Sequence, residues 1–165
     1  MTADTRIARE ARVLRLRLEL GLVSLREIEI WAEQILISVI EPPYEFVELA
    51  MSNVRGRKAT ESTLRAVTVD AVTASDVLAA LAAADTIDWP SHRIVELADA
   101  LRMWAYQLDE DSEAGRLLFA ADNITDEFNT PPEWNYVPDM NRARKMLVSL
   151  IDEAREVAAK PGSGK

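Results

Sequence analysis

No cysteine occurs among the 165 residues. That excludes a disulfide framework, a thiol nucleophile and a thiolate metal site. Histidine is nearly absent as well, with His92 the single example. A zinc site would have to rest on carboxylates, a poor donor set for that metal, and the Glu-x-x-His pairs of di-iron bundles are missing. Glycine is scarce: two of the five stand in the terminal "GSGK", which has no following helix and lacks the leading glycine of a phosphate loop. Long apolar runs are also lacking. The densest stretch, 28–40, is interrupted by Glu29, Glu33 and Gln34, well short of the ~18 uninterrupted residues of a membrane span. Residues 1–20 carry Arg6, Arg9, Arg12, Arg15 and Arg17 with no apolar core between them, unlike a signal peptide. The expectation is a cytoplasmic chain with no membrane partner, no metal and no cofactor.

What is present is a globular composition, 48% hydrophobic and 28% charged, which excludes wholesale disorder. The length suits one domain with its own core. The net charge of −9 is concentrated. The segment 84–134 holds twelve acids against Arg93, Arg102 and Arg116, which accounts for the whole imbalance and leaves the rest balanced. Such a surface repels nucleic acid. It attracts a basic protein partner, and it also simply favours solubility.

Helix formers dominate, and helix boundaries are legible. Ile7, Ala11, Leu14 and Leu18 recur at helical spacing before Gly21. "SLRE" at 24–27 is a capping box. It opens a helix whose stripe is Leu25, Ile28, Trp31, Ala32, Ile35 and Val39. Ile30 and Ile37 fall off that stripe, so this helix is expected to be covered on two sides. Pro42 and Pro43 end it and start a short helix to about Ser52, with Tyr44 and Phe46 seating it. "NVRGRK" at 53–58 reads as a polar loop, with the next helix starting at Thr60 or Ser62. "AVTVDAVT" at 66–73 is the one β-like run. "TASD" at 73–76 and "DWPS" at 88–91 open further helices, "DEDSEAG" turns the chain, and a helix to about Asn123 follows. A proline-rich loop spans 128–138, and the last helix begins near Asp139. The fold class expected is all-α: a single-domain irregular bundle of about seven or eight helices over 1–160, with a flexible tail at 161–165.

No constellation of side chains carries catalysis. His92 stands at a helix start with Asp88 and Glu96 nearby, and reads as an exposed first-turn histidine. Asp109, Asp111 and Glu113 alternate like calcium ligands. The glycine then falls one place late, at Gly115, and Ala120 occupies the position that needs a bidentate acid. The arginines of the first helix are expected to dock on the chain's own acidic segment. Trp31 and Trp104 belong to apolar stripes. Trp89 and Trp134 sit beside prolines and acids, as interface anchors do.

The stretch "GLVSLREIEIWAEQILISVIEPPYEFVELAMS" at 21–52 resembles one found in small acidic bacterial proteins, among them immunity-type partners of toxins. The resemblance implies a binding protein and transfers no functional residue. The functional expectation is a non-enzymatic protein-interaction module of the immunity or inhibitor type that binds a basic partner. Its contact residues are expected to be Trp89, Asp109, Glu110, Asp111, Glu113, Trp134 and Tyr136. The alternatives are a helical enzyme or ligand binder with a site near His92, and a self-associating regulatory protein whose basic first helix meets an acidic face of another copy.

Overall fold

Residues 3–68, 71–85, 89–129 and 137–159 are described by the structure, a computed structural model. The fold is all-α, as the composition implies, with no strand among the described residues. The β-like run gives no strand there, although 69 and 70 lie outside the described residues. No described helix is long and apolar enough to cross a membrane. The chain divides into two compact units, 1–72 and 73–165.

Unit 1 contains α1 (Ala3–Glu19), α2 (Leu25–Ser38), α3 (Tyr44–Leu49), α4 (Ser52–Arg55) and α5 (Arg57–Val67). Gly21, at φ 68°, ends α1 in the left-handed conformation that glycine adopts without strain. The capping box forms as read: Ser24 Oγ accepts from the Glu27 N–H at 3.2 Å, and Glu27 accepts from the Ser24 N–H at 2.8 Å. Pro43 is the N-cap of α3. The polar loop expected at 53–58 is instead α4, Gly56 and the start of α5, which begins three to five residues before the expected Thr60 or Ser62. Gly56 makes this possible: at φ 81° it ends α4 and precedes α5 within one residue.

The core of unit 1 follows the apolar stripes. Ile7, Ala11 and Leu18 of α1 meet Ile28, Ala32 and Ile35 of α2, Phe46 and Leu49 of α3, and Leu64 of α5. Trp31 leans on Phe46, with ring centroids 5.5 Å apart, and donates its indole N–H to Glu10 at 3.1 Å. Arg6, Arg15 and Arg17 find their carboxylates within unit 1, on Glu10, Glu19 and Glu27, rather than in the acidic segment 84–134. Acids one helical turn away, or across one helix junction, are the nearer partners.

Unit 2 contains α6 (Ala74–Ala82), α7 (Ser91–Leu108), α8 (Glu113–Leu118), α9 (Ala120–Asn129) and α10 (Met140–Ala159). Thr73 and Asp76 form the second capping box. Asp109 ends α7 at φ 43°, a left-handed position unusual for a residue other than glycine. The helix expected to end near Asn123 breaks at Phe119 and then runs on to Asn129. Asp139 caps α10 by accepting from the Asn141 and Arg142 N–H groups at 3.0 and 3.1 Å. Helix α10 packs against α6, α7, α8 and α9. Ala143, Leu147, Leu150, Ile151 and Ala154 are its buried stripe.

Helix α6 is short, apolar and held at both ends by charge. Glu110 accepts from the Ala74 N–H at 3.0 Å, at the positive end of the helix dipole. Arg155 donates to the Ala82 and Ala84 carbonyls at 3.2 and 2.8 Å, at the negative end. The Glu110 backbone lies so close to Gly115 that any Cβ there would collide with the Glu110 carbonyl. Gly115 is therefore fixed by the turn 109–112 that precedes α8, rather than by its own φ.

Candidate functional site

Ile30 and Ile37 lie on the side of α2 turned away from Ile28, Ala32 and Ile35. The cover expected for them is missing: Ile30 is 41% exposed and Ile37 87%. Tyr44 and Val47 lie on the side of α3 opposite Phe46 and Leu49, and the exposed Met51 is the N-cap of α4. Tyr44 is 71% exposed and so does not seat the short helix; Phe46 and Leu49 do that. Ile40, in the α2–α3 connection, and Val54, on α4, are almost wholly in water. Ten large apolar residues are exposed among the described residues, and seven of them fall within 30–54. Isolated exposed apolar residues are ordinary, and it is their concentration here that makes this segment the candidate site.

The local structure explains how these side chains are presented. Glu29 is a buried carboxylate on α2. It accepts from the Asn53 N–H at 2.7 Å and from the Asn53 side-chain amide at 2.6 Å. Arg26 donates to the same Oε2 as the Asn53 amide, at 3.1 Å. The Asn53 backbone N–H, with Arg26 and the Asn53 amide assisting against desolvation, holds the Glu29 carboxyl below the usual glutamate range. This clamp fixes α4 against α2.

The electrostatics of this face are one-sided. Residues 27–54 contain six glutamates and no lysine or arginine. Glu27 is engaged with Ser24 and Arg17, Glu29 with Asn53 and Arg26, and Glu48 with Arg55 and Thr63. The structure gives Glu33, Glu41 and Glu45 no hydrogen bond or ion pair among the described residues. Three uncompensated carboxylates thus belong to the same segment as the exposed isoleucines. The composition of 27–54 alone carries this signal, although its −6 is hidden in the chain average by the arginines of α1 and α5.

The residues expected from sequence to make the contact fare differently. Glu110 is occupied as the α6 cap. Asp111 is 95% exposed and pairs with Arg116 at 2.9 Å. Asp109 is the exposed C-cap of α7. Glu113 opens α8 and lines an open groove of about 410 Å³ with Arg116, Leu117, Ala120, Glu153, Glu156 and Val157. The turn thus brings Asp109, Glu110, Asp111 and Glu113 together, with part of its charge already engaged. Trp89 is half-buried. Trp134 and Tyr136, with Pro131 and Pro132, lie outside the described residues. His92 is exposed on the first turn of α7, and Glu96 accepts from Arg93 at 3.0 Å instead of facing it. No family model matches the chain, and no curated protein or solved structure matches it either.

Proposed function

We propose that this chain is a non-enzymatic protein-interaction module that docks its partner through the outer face of α2, α3 and α4. One observation carries the reading: among the described residues, seven of ten exposed large apolar side chains fall within 30–54, where the inner sides of α2 and α3 are already used by the core. Burying such side chains against a partner supplies the driving force for association. An inhibitor or immunity-type protein is the specific form of this reading, since it acts by occupying a partner's surface. The turn at 109–113 is moved from the contact to a steering role, because Glu110 and Asp111 already have partners within unit 2.

A photo-crosslinking residue placed at Ile37 in the native cell tests it. The expected result is one dominant protein adduct, absent when the same residue is placed at the exposed Asp99 of unit 2 and lost when Val47 and Met51 are changed to serine. An Ile37 position that yields no adduct, or only the scatter seen from Asp99, overturns the reading.

A further inference from the structure

The same face specifies the chemistry of what it binds. We infer that the occupant of the α2–α4 face is a basic amphipathic segment of a partner protein: apolar side chains along one edge, lysine or arginine beside them. The inference rests on the interaction reading above and goes further by fixing the partner's charge.

The argument begins with the charges that are already balanced. Arg17, Arg26 and Arg55 lie on Glu27, Glu29 and Glu48 at 3.6, 3.1 and 3.0 Å. Subtracting these pairs leaves Glu33 on α2, Glu41 in the α2–α3 connection and Glu45 on the first turn of α3. Each of the three is interleaved in sequence with the exposed apolar residues: Glu33 between Ile30 and Ile37, Glu41 directly after Ile40, Glu45 between Tyr44 and Val47. Glu33 is three residues after Ile30 and four before Ile37, on one stripe of α2, so a ligand that covers that stripe must approach it, and Glu41 adjoins the exposed Ile40. If it brought no cations, it would desolvate them without compensation, which is costly. If it brought acids, like charges would oppose association.

The same reasoning removes the other occupants. An anionic lipid surface would set its headgroups against the three carboxylates. A second copy docking this face across a two-fold axis would add the same three carboxylates to the interface and no lysine or arginine from 27–54. A basic amphipathic segment satisfies both the apolar and the charged parts of the face, as when an amphipathic helix is laid on a partner's hydrophobic groove.

The probe is a short synthetic peptide of leucine and lysine, with leucines at helical spacing. A counterpart has glutamate in place of lysine. Binding to the full chain is followed by fluorescence anisotropy at low and at physiological salt. Three variants are compared: Ile37→Ser/Val47→Ser/Met51→Ser, Glu33→Gln/Glu41→Gln/Glu45→Gln, and, on unit 2, Asp109→Asn/Asp111→Asn/Glu113→Gln. Nearly all of the substituted side chains are exposed, Glu45 alone being half-buried, and circular dichroism confirms that each variant keeps its helices.

The expected result is that the lysine peptide binds and the glutamate peptide does not. The first two variants should each weaken binding by roughly tenfold, the third much less, with the charge-dependent part fading as salt rises. If neutralising Glu33, Glu41 and Glu45 changes nothing, or if the unit 2 variant weakens binding equally, the inference falls and the interaction reading stands. Failure of the lysine peptide to bind at all has the same consequence, with the Ile37 adduct left to decide the wider reading. If the apolar variant binds the peptide as well as the original chain does, both readings fall. A dimer by light scattering that the apolar variant dissolves would make a second copy the occupant and would also overturn the inference.

Discussion

The two units treat their surfaces in opposite ways. In unit 2 an exposed aromatic is nonetheless engaged: Tyr106 donates to Asp122 at 3.0 Å, meets Phe119 edge-on at 5.4 Å and lies under Arg102 at 5.7 Å. In unit 1 Tyr44 has no ring or hydrogen-bond partner among the described residues. Among the described residues, unit 2 exposes three large apolar residues, Met103, Tyr106 and Val137, and unit 1 exposes seven. Acids differ as well. Unit 2 places Glu110 on a helix end and pairs the buried Glu127 with Arg142 at 3.1 Å, and unit 1 leaves Glu33, Glu41 and Glu45 without a partner among the described residues. A high local acid content therefore does not locate a binding surface. What distinguishes unit 1 is that its unpartnered acids stand among exposed apolar side chains, since unit 2 also leaves Asp85, Asp99, Asp109 and Glu156 without a side-chain partner among the described residues.

The contrast can be broken most severely from the inside of unit 1. Phe46→Ala should cost about 3–5 kcal/mol, read from urea unfolding, because Phe46 is fully buried between α2 and α5 elements of the core. Its neighbour Val47→Ser should stay within about 0.5 kcal/mol, although it sits one residue away. If the two costs are similar, the outer side of α3 is not the free surface described above. In unit 2, Gly115→Ala should cost about 3 kcal/mol, as overpacking against a backbone carbonyl that cannot retreat. Glu110→Ala should cost about 1 kcal/mol through loss of the α6 cap; a value near zero would return Glu110 to the pool of free surface acids.

The smallest effect is on pH dependence. Glu29 and Glu27 both titrate below their ordinary value of 4.5, held down chiefly by the N–H groups of Asn53 and Ser24 respectively. A depressed folded-state pKa contributes stability that is fully present above the unfolded value and is lost as pH falls through the folded one. Urea midpoints should therefore decline below about pH 4.5, and Glu29→Gln should flatten that decline. A decline of the same slope in the variant would show that the Asn53 clamp does not hold the carboxylate.

Much of the fold was legible because local chemistry decides it. Ser24, Thr73 and Asp139 sit where caps are needed, and their side chains can reach only the amides of the turn they open. Gly56 was legible as a breaker but not as a junction between two helices, since its φ is visible only in the structure. The exposed face was misread. The spacing of Ile30 and Ile37 correctly put them off the main stripe, but apolar character alone says that a side chain prefers cover, not that cover is present. Sequence likewise counts charges and cannot see that Glu110 is turned onto Ala74 or Asp111 onto Arg116.

The two-ended hold on α6 has a further consequence, during synthesis. One of its clasps, Arg155, belongs to the last helix described, and so does the buried stripe on which α6 packs. A nascent chain that has released residues up to 68 from the ribosome already contains every element of unit 1. At that moment α6 has not appeared, and once it does it must wait for some seventy further residues before α10 can close over it. The isoleucine-rich face of unit 1 is therefore offered to the cell early, while the other half of the protein is still being made.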